Sequence, residues 1–388
     1  MTAVGIIAEY NPFHTGHQWQ IAEVRRRLGP DVPVIAAMSG NWVQRGDAAV
    51  LEKHSRAAAA VRGGADLVLE IPLTWATASA ERFAQGGVGV LAAAGIADTL
   101  VFGSESGDLA ALQRTADYLQ SPAYFDALRA ALKTGCSFAA ARQQALDAAP
   151  GLPHWDTRTR PNDQLALEYL KALPGTGLRP MALPRCGAAH DGPAQDGIAS
   201  ASRIRSLLRD GADVSEWLPA GETIRPEETA FLERNERGVL TRLRTMTAED
   251  FRALPDCGEG LENRMVLAAR EGCSLEEVCQ LAKTKRYAYA RIRRLAVRSL
   301  LGLTKADLAA DLPYLRVLAM NARGRALLPA MKRTARLPIL TRPAAVRQLG
   351  PEAVRCMELE ARGTDLWQLC LAEPGPGGLE WKTGVRIV

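Results

Sequence analysis

The chain has no stretch of about 18 uninterrupted apolar residues, the length a membrane-spanning helix needs. Its longest candidate, residues 86–103, is broken by Asp98 and dotted with glycine, and reads as helix, turn and buried strand. The start, Met1-Thr2-Ala3, has none of the basic residues of an export signal, and the apolar run after it is too short for one. Cysteine is sparse: seven residues, an odd number, with no C-x-x-C pair. Cys273 and Cys279 lie six apart without a nearby histidine, so neither a zinc site nor a disulfide framework is indicated, and no metal ligands are expected. A reducing, cytoplasmic setting fits this usage, with no membrane partner. Internal repeats and low-complexity tails are absent too. Charge of one sign is not in large excess: 48 Lys and Arg against 43 Asp and Glu leave +5, which permits a nucleic-acid partner without demanding one.

What is present is an ordinary globular composition, 47% hydrophobic and 23% charged, in 388 residues, a length for which two domains are the natural expectation. Residues 1 to about 220 alternate short apolar runs with helical patterns. Val4–Ala8, Val34–Ala37, Leu67–Ile71 and Leu100–Phe102 are continuous rather than alternating apolar runs, as in a parallel sheet covered on both faces. Residues 107–148 read as two or three inserted helices, 180–184 as another strand, and 200–208 as a helix. A Pro-, Gly- and Glu-rich stretch at 219–228 looks like a boundary. Beyond it, residues 221–388 read almost wholly as helix, broken by Gly302, Pro313 and Pro338, with a terminal strand or tail after Trp381.

Only five histidines occur, and two of them are His14 and His17 in His14-Thr15-Gly16-His17. They follow the first strand and an Asn11-Pro12 turn, and open a helix whose apolar face is Ile21, Val24 and Leu28. A helix start presents unpaired N–H groups and the positive end of the dipole, which favour anions. Two imidazoles three residues apart can face the same way, and Gly16 allows a phosphate close to the backbone.

This strand–turn–H-x-G-H–helix order resembles the nucleotidyltransferase superfamily, in which that motif sits on a Rossmann-like sheet. The likeness narrows with Gly5 to His14, Met38-Ser39-Gly40-Asn41-Trp42-Val43-Gln44-Arg45-Gly46, Phe102-Gly103-Ser104-Glu105 and Arg160-Pro161-Asn162-Asp163. Together these resemble the bacterial tRNA(Met) cytidine acetate ligase family, over most of the chain.

The resemblance implies a Rossmann-like α/β nucleotidyltransferase domain over residues 1–220 with a helical insertion, and a helical, basic tRNA-binding domain over 221–388. It places ATP on Ile7, Ala8, Glu9, Tyr10, Asn11, Pro12, Phe13, His14, Thr15, Gly16, His17, Gln18, Trp19 and Gln20, with Gly103, Asn162, Arg185 and Ser202. His14, His17 and Arg205 would carry catalysis by stabilising phosphate charge. Mg²⁺ is expected to bridge the phosphates. Ser200-Ala201-Ser202-Arg203-Ile204-Arg205 stands where the superfamily has a Ser-rich helix start followed by arginine, although Ser-Thr is commoner there than Ser-Arg. Cys186 also departs from the aliphatic residue expected after Arg185. Asn41, Gln44 and Arg45, around an exposed-looking Trp42, would shape the acyl pocket. His54 reads as structural.

Lys283, Lys285, Arg286, Arg291, Arg294 and Arg298 form a cationic run interleaved with Tyr287 and Tyr289. Cations can neutralise phosphates and tyrosines can stack on unpaired bases, so this run is expected to bind tRNA. A further cluster follows at Arg323, Arg325, Lys332, Arg333 and Arg336. The expected reaction is activation of acetate by ATP to acetyl-adenylate, then acetylation of the N4 amine of the wobble cytidine of elongator tRNA(Met). Two alternatives remain open at this point: a nucleotidyltransferase adenylylating a small phosphorylated metabolite, and a non-catalytic nucleotide- or RNA-binding protein.

Overall fold

The computed structural model describes residues 2–153, 159–185 and 197–388. Cys186 lies outside the described residues. The strands are β1 (Ala3–Ala8), β2 (Val34–Ser39), β3 (Trp42–Val43), β4 (Asp47–Ala48), β5 (Leu67–Ile71), β6 (Ala97–Ser104), β7 (Arg179–Pro184), β8 (Leu315–Met320), β9 (Ile339–Leu340) and β10 (Arg386–Ile387). One sheet takes the order β10-β8-β5-β2-β1-β6-β7, with β9 also paired to β8; β3 and β4 form a separate hairpin.

From β5 through β7 the neighbouring strands are all parallel, as their continuous apolar runs suggest. Alternate residues enter two cores. Ile7, Ile35, Ala37 and Leu69 pack under helix Ala80–Ala94, while Ile6, Ala36 and Val68 pack under helices Thr15–Leu28 and Lys53–Arg62. A Cβ on Gly5 would meet Leu91 at 2.6 Å, so β1 and helix Ala80–Ala94 approach at a distance that glycine permits. Ile21 and Val24 of the first helix are buried as expected, but Leu28 is 43% exposed. The insertion forms three helices, Leu109–Tyr118, Pro122–Leu132 and Phe138–Asp147.

The expected division at residue 220 does not divide the cores. Helices from Glu236–Thr245 to Tyr289–Leu301 build their own apolar cluster, yet Trp42, Ala48 and Leu73 belong to it. The chain then returns to the first sheet, where β8 pairs antiparallel with β5 and β10 lies parallel to β8. The region that reads almost wholly as helix therefore supplies β8 and β9 besides the terminal strand expected after Trp381, here β10. β8 is buried throughout although Arg316 stands inside it.

A closed ionic cluster compensates that charge. Lys53 Nζ lies 2.6 Å from Glu70, 2.8 Å from Glu380 and 3.6 Å from Glu360, and Arg316 pairs with Glu380 and Glu70. Thr364 donates its hydroxyl to Glu380. These charged groups come from five separate elements and are all at most 3% exposed. Burial and the Glu70 carboxylate push Glu360 up to about 8, so it keeps its proton at neutral pH. Burial acts on Glu380 in the same direction, but Lys53 and Arg316 outweigh it and hold that carboxyl below its usual range.

Lys53→Met, which leaves buried carboxylates uncompensated, is expected to cost about 3–5 kcal/mol in urea unfolding at pH 7. A cost below about 1 kcal/mol would show that the cluster does not hold the fold. Glu360 has a raised folded-state pKa, so its contribution to stability is complete below its unfolded value near 4.3 and is lost as pH rises through about 8. Wild-type stability should therefore fall between pH 7 and 9 relative to Glu360→Gln, whose amide does not titrate.

Candidate nucleotide-binding site

Strand order reverses at β1: β2 and β5 lie on one side, β6 and β7 on the other. Open α/β sheets bind ligands in the crevice at the carboxyl ends of the strands at such a switch point. Here β1 runs into the His14 loop, and β6 ends at Gly103 and Ser104.

His14 is the N-cap of helix Thr15–Leu28. Its Nδ1 accepts the Gly16 N–H at 3.0 Å, while the His14 N–H donates to His17 Nδ1 at 3.3 Å. The result is a capping box made of imidazoles, with ring centroids 3.9 Å apart. Because each Nδ1 is an acceptor, each neutral ring carries its proton on Nε2. Neither Nε2 has a protein partner among the described residues, so the pair presents two N–H donors beside a helix N-terminus. Tyr10 and Phe13 wall the His17 ring at 4.9 and 5.6 Å. A Cβ at Gly16 would meet the His14 ring at 2.9 Å and Ile198 at 3.0 Å, so this glycine is needed by the ring itself.

Burial, with the charges of Arg185 and Arg205, pushes His14 down to about 3. Burial, His14 and Arg185 lower His17 well below its ordinary value. The rings are thus neutral donors, and the positive charge of the site comes from the arginines. Arg205 donates to the Asn11 carbonyl at 2.7 Å from helix Ala201–Arg209, which Ser200 caps. Ser202 stands 3.0 Å, hydroxyl to hydroxyl, from Ser200. On the other side, the Arg185 N–H donates to the Ser104 carbonyl at 2.9 Å and its side chain is exposed. Only Arg185 Cγ would lie within 4 Å of a Cβ on Gly103. Arg185 and Arg205 thus act on His14 beside His17, Gly103 lies next to Arg185, and Ser202 stands on the same helix as Arg205.

Asn162 sits in the first turn of helix Pro161–Ala172, whose N-cap is Arg160. Its N–H and amide both donate to Glu105, which also accepts the Asp163 N–H at 2.7 Å. Asp163 in return accepts the Glu105 and Ser106 N–H groups and the Ser104 hydroxyl. This reciprocal clasp fixes the turn after β6. In the sequence, Ser104 and Glu105 show only as part of the Phe102-Gly103-Ser104-Glu105 motif, and the clasp is not visible there.

The run from Ile7 to Gln20 splits by role. Ile7, Tyr10, Asn11, Pro12 and Phe13 are buried; Ala8, Glu9, Thr15, Gly16, Trp19 and Gln20 are half-buried; Gln18 faces solvent. Asn11 Oδ1 accepts the Val50 N–H at 2.7 Å, which assigns that oxygen to holding the loop. Arg56, which sequence reasoning misses, is fully buried and donates to the carbonyls of Leu51, Ser39, Glu9 and Gly40. It pins the carboxyl ends of β1 and β2, and burial lowers it to about 10. A lone cation ahead of the apolar run Ala57–Val61 is the available signal. His54 is structural as expected, with Nδ1 3.3 Å from the Leu318 carbonyl.

Among the expected acyl-pocket residues, Asn41 is buried, accepting the Lys53 N–H and donating to Thr364. Trp42 is fully buried rather than exposed, donating to the Gly363 carbonyl. Gln44 is tied to Glu9 through its N–H and to Ala78 through its amide. Arg45 alone is exposed.

The basic run is corrected most. Arg298 is 1% exposed and bonds Thr77 and Asp256 inside the protein, so it cannot meet RNA. Arg294 is half-buried, and burial lowers it to about 10. Arg291 donates to the Asp256 carbonyl, and Arg286 pairs with Glu259 at 2.9 Å. Tyr287 is buried, so its ring is not free to stack, and Tyr289 is half-buried with its hydroxyl bonded to Glu276. Helix Tyr289–Leu301 packs on the β3–β4 hairpin, where a Cβ at Gly46 would meet Arg294 N at 2.6 Å. Among the described residues, only Lys283 and Lys285 of the six are exposed without an ion pair.

Residues 1–376 match the family model of the HIGH nucleotidyl transferases. Among curated relatives, a tRNA(Met) cytidine acetate ligase of Syntrophotalea carbinolica is 38% identical, covering 98% of this chain and 96% of that one. One of Acetivibrio thermocellus is 34% identical over the full length of both. A crystal structure of Thermotoga maritima TmcAL bound with alpha-thio ATP superposes with a TM-score of 0.90 at 31% identity, covering both chains completely. The chain belongs to the tRNA(Met) cytidine acetate ligase family within the HIGH nucleotidyl transferases.

Three of the five histidines, His14, His17 and His54, are held far below the neutral range. In an NMR titration of the ring Cε1–H signals, no more than two histidines should therefore show an inflection between pH 5 and 8. A third titrating signal would mean that one of these rings is solvated or charged.

Proposed function

We propose that this chain is an ATP-dependent ligase that activates acetate and acetylates the wobble cytidine of elongator tRNA(Met). The observation that carries the reading is the imidazole capping box at the switch point of the sheet, with the positive charges of Arg185 and Arg205 acting on the His14 ring.

In the first step a carboxylate oxygen of acetate attacks the α-phosphorus of ATP. A carboxyl–phosphate bond forms, the bond to the β-phosphate bridge breaks, and pyrophosphate leaves with its electron pair. Charge grows on the phosphate oxygens, and preorganised N–H donors and arginines stabilise it without reorganising. In the second step the cytidine N4 amine attacks the acetyl carbonyl, AMP departs, and the amine proton is released. Arg45, exposed on the β3–β4 loop beside Arg205, is our candidate for orienting the acetate carboxylate.

Mg²⁺ has no dedicated carboxylate cage here: among the described residues no group of three or more His, Cys, Asp or Glu could hold a metal. The imidazoles and arginines at the crevice suit phosphate oxygens, and a Mg²⁺ carried on those phosphates would need few protein ligands.

The helical half and the exposed Lys283 and Lys285 are proposed to grip the tRNA, since anticodon-loop bases unstack at least cost. An adenylyltransferase for a small phosphorylated metabolite would leave the helical half without a role, and a non-catalytic binder would leave both Nε2 donors without one. Incubation with ATP, labelled acetate and bulk tRNA should label tRNA; label on a metabolite alone, or none, would refute the ligase. His17→Ala should reduce acetate-dependent ATP–pyrophosphate exchange about 10²–10³-fold, the effect of losing one preorganised donor, while leaving tRNA affinity nearly unchanged. Equal loss of both would mean that the two functions are not separated as proposed.

A further inference from the structure

The structure displaces the nucleic-acid signal from the stretch where the sequence is richest in cations. In the run 283–298, Arg286, Arg293 and Arg298 pair with Glu259, Asp47, Glu233 and Asp256, Arg291 is tied to the Asp256 carbonyl, and Arg294 is half-buried. A different surface is left uncompensated. Residues 321–350 contain seven cations, Arg323, Arg325, Lys332, Arg333, Arg336, Arg342 and Arg347, and no Asp or Glu. All seven are exposed. Arg323 has distant ion pairs, 3.7 Å to Asp31 and 3.8 Å to Asp66; the other six have none among the described residues.

The cations are also organised. Arg325 and Lys332 stand seven residues apart, two turns along helix Ala322–Thr334 and so on one face of it. Across from them is Arg342, and the three line one open groove of about 520 Å³ whose floor includes Met320 and Val385. Like charges gathered without carboxylates raise the local potential and repel one another, an arrangement that a polyanion relieves.

Its place in the fold says which polyanion. Asn321 follows Met320, which pairs with Leu67 at the start of β5, whereas His14 follows the carboxyl end of the parallel β1. Patch and imidazoles thus lie at opposite ends of the sheet, separated by about 20 Å, the length of a six-residue strand. A free nucleotide or a short anion cannot use both. A folded RNA can, with stem phosphates at one end and a loop base at the other.

We propose that the 321–347 surface, centred on Arg325, Lys332 and Arg342, is the docking surface for the phosphate backbone of the tRNA substrate. The inference rests on tRNA being the partner, and its test separates the two ideas. The triple variant Arg325→Ala/Lys332→Ala/Arg342→Ala changes only exposed side chains distant from the nucleotide crevice. Its acetate-dependent ATP–pyrophosphate exchange should match wild type, which also verifies folding. Its affinity for tRNA(Met) transcript in 150 mM salt should fall at least about tenfold, and the slope of log Kd against log salt should drop by about 2 to 3, one unit or slightly less per lost phosphate contact. The parallel variant Lys283→Ala/Lys285→Ala/Arg286→Ala should lose less.

If wild type acetylates tRNA while the triple variant binds it with unchanged affinity and slope, the docking surface is refuted and the ligase reading stands. The docking surface is likewise refuted if the triple variant loses only binding to phosphatidylglycerol vesicles. If wild type neither binds nor acetylates tRNA, the ligase reading falls and the inference falls with it.

Discussion

The pairing of Lys53 and Arg316 with buried glutamates is the constraint on which the architecture turns. Its members come from helix Lys53–Arg62, β5, β8, helix Pro351–Gln368 and helix Leu379–Lys382, so both halves of the chain must assemble before any one charge is satisfied. Two cations face three carboxyl groups, and the proton on Glu360 brings the count into balance. An assembly of this kind adds little net stability over an apolar equivalent, but losing one member is severe. Its effect is to make the late strand β8 fit only beside β5.

The nucleotide crevice is one helical turn away from that cluster. Lys53 and Arg56 are three residues apart on one helix; the first reaches the ionic cluster, while the second holds the carbonyls that end β1 and β2. On the far side of β1, the Glu105–Asp163 clasp does the same for β6. The His14 loop is thereby held between two rigid strand ends, and Arg205 closes it from helix Ala201–Arg209. The β3–β4 hairpin extends the same logic into the helical half, since Arg293 bonds Gly46 and Asp47.

Much of this is readable in the sequence because it is local. Continuous apolar runs mark the parallel strands, and the strand–turn–histidine order locates the crevice. What fails to show depends on partners far along the chain. β8 reads as helix because Arg316 interrupts an apolar run, and its neutralising glutamates are 64 residues later and on another strand. Arg298 reads as an RNA contact because a sequence shows charge but not burial; its carbonyl and carboxylate partners lie at Thr77 and Asp256. Trp42 looks exposed for the same reason, since Gly363, which accepts its indole proton, is remote in sequence. The clasp at Asp163 is half visible, as an acidic residue near a helix start, but its targets lie 57 to 59 positions earlier.

The imidazole capping box separates the two nitrogens of each ring: the near one completes the start of a helix, and the far one is, on the proposed function, kept for the ligand. Asparagine reproduces the reach of the near nitrogen and glutamine that of the far one, but neither reproduces both. At these two positions the demands of folding and of chemistry are therefore fused in one aromatic ring, and no single exchange among the common amino acids can satisfy one without surrendering the other.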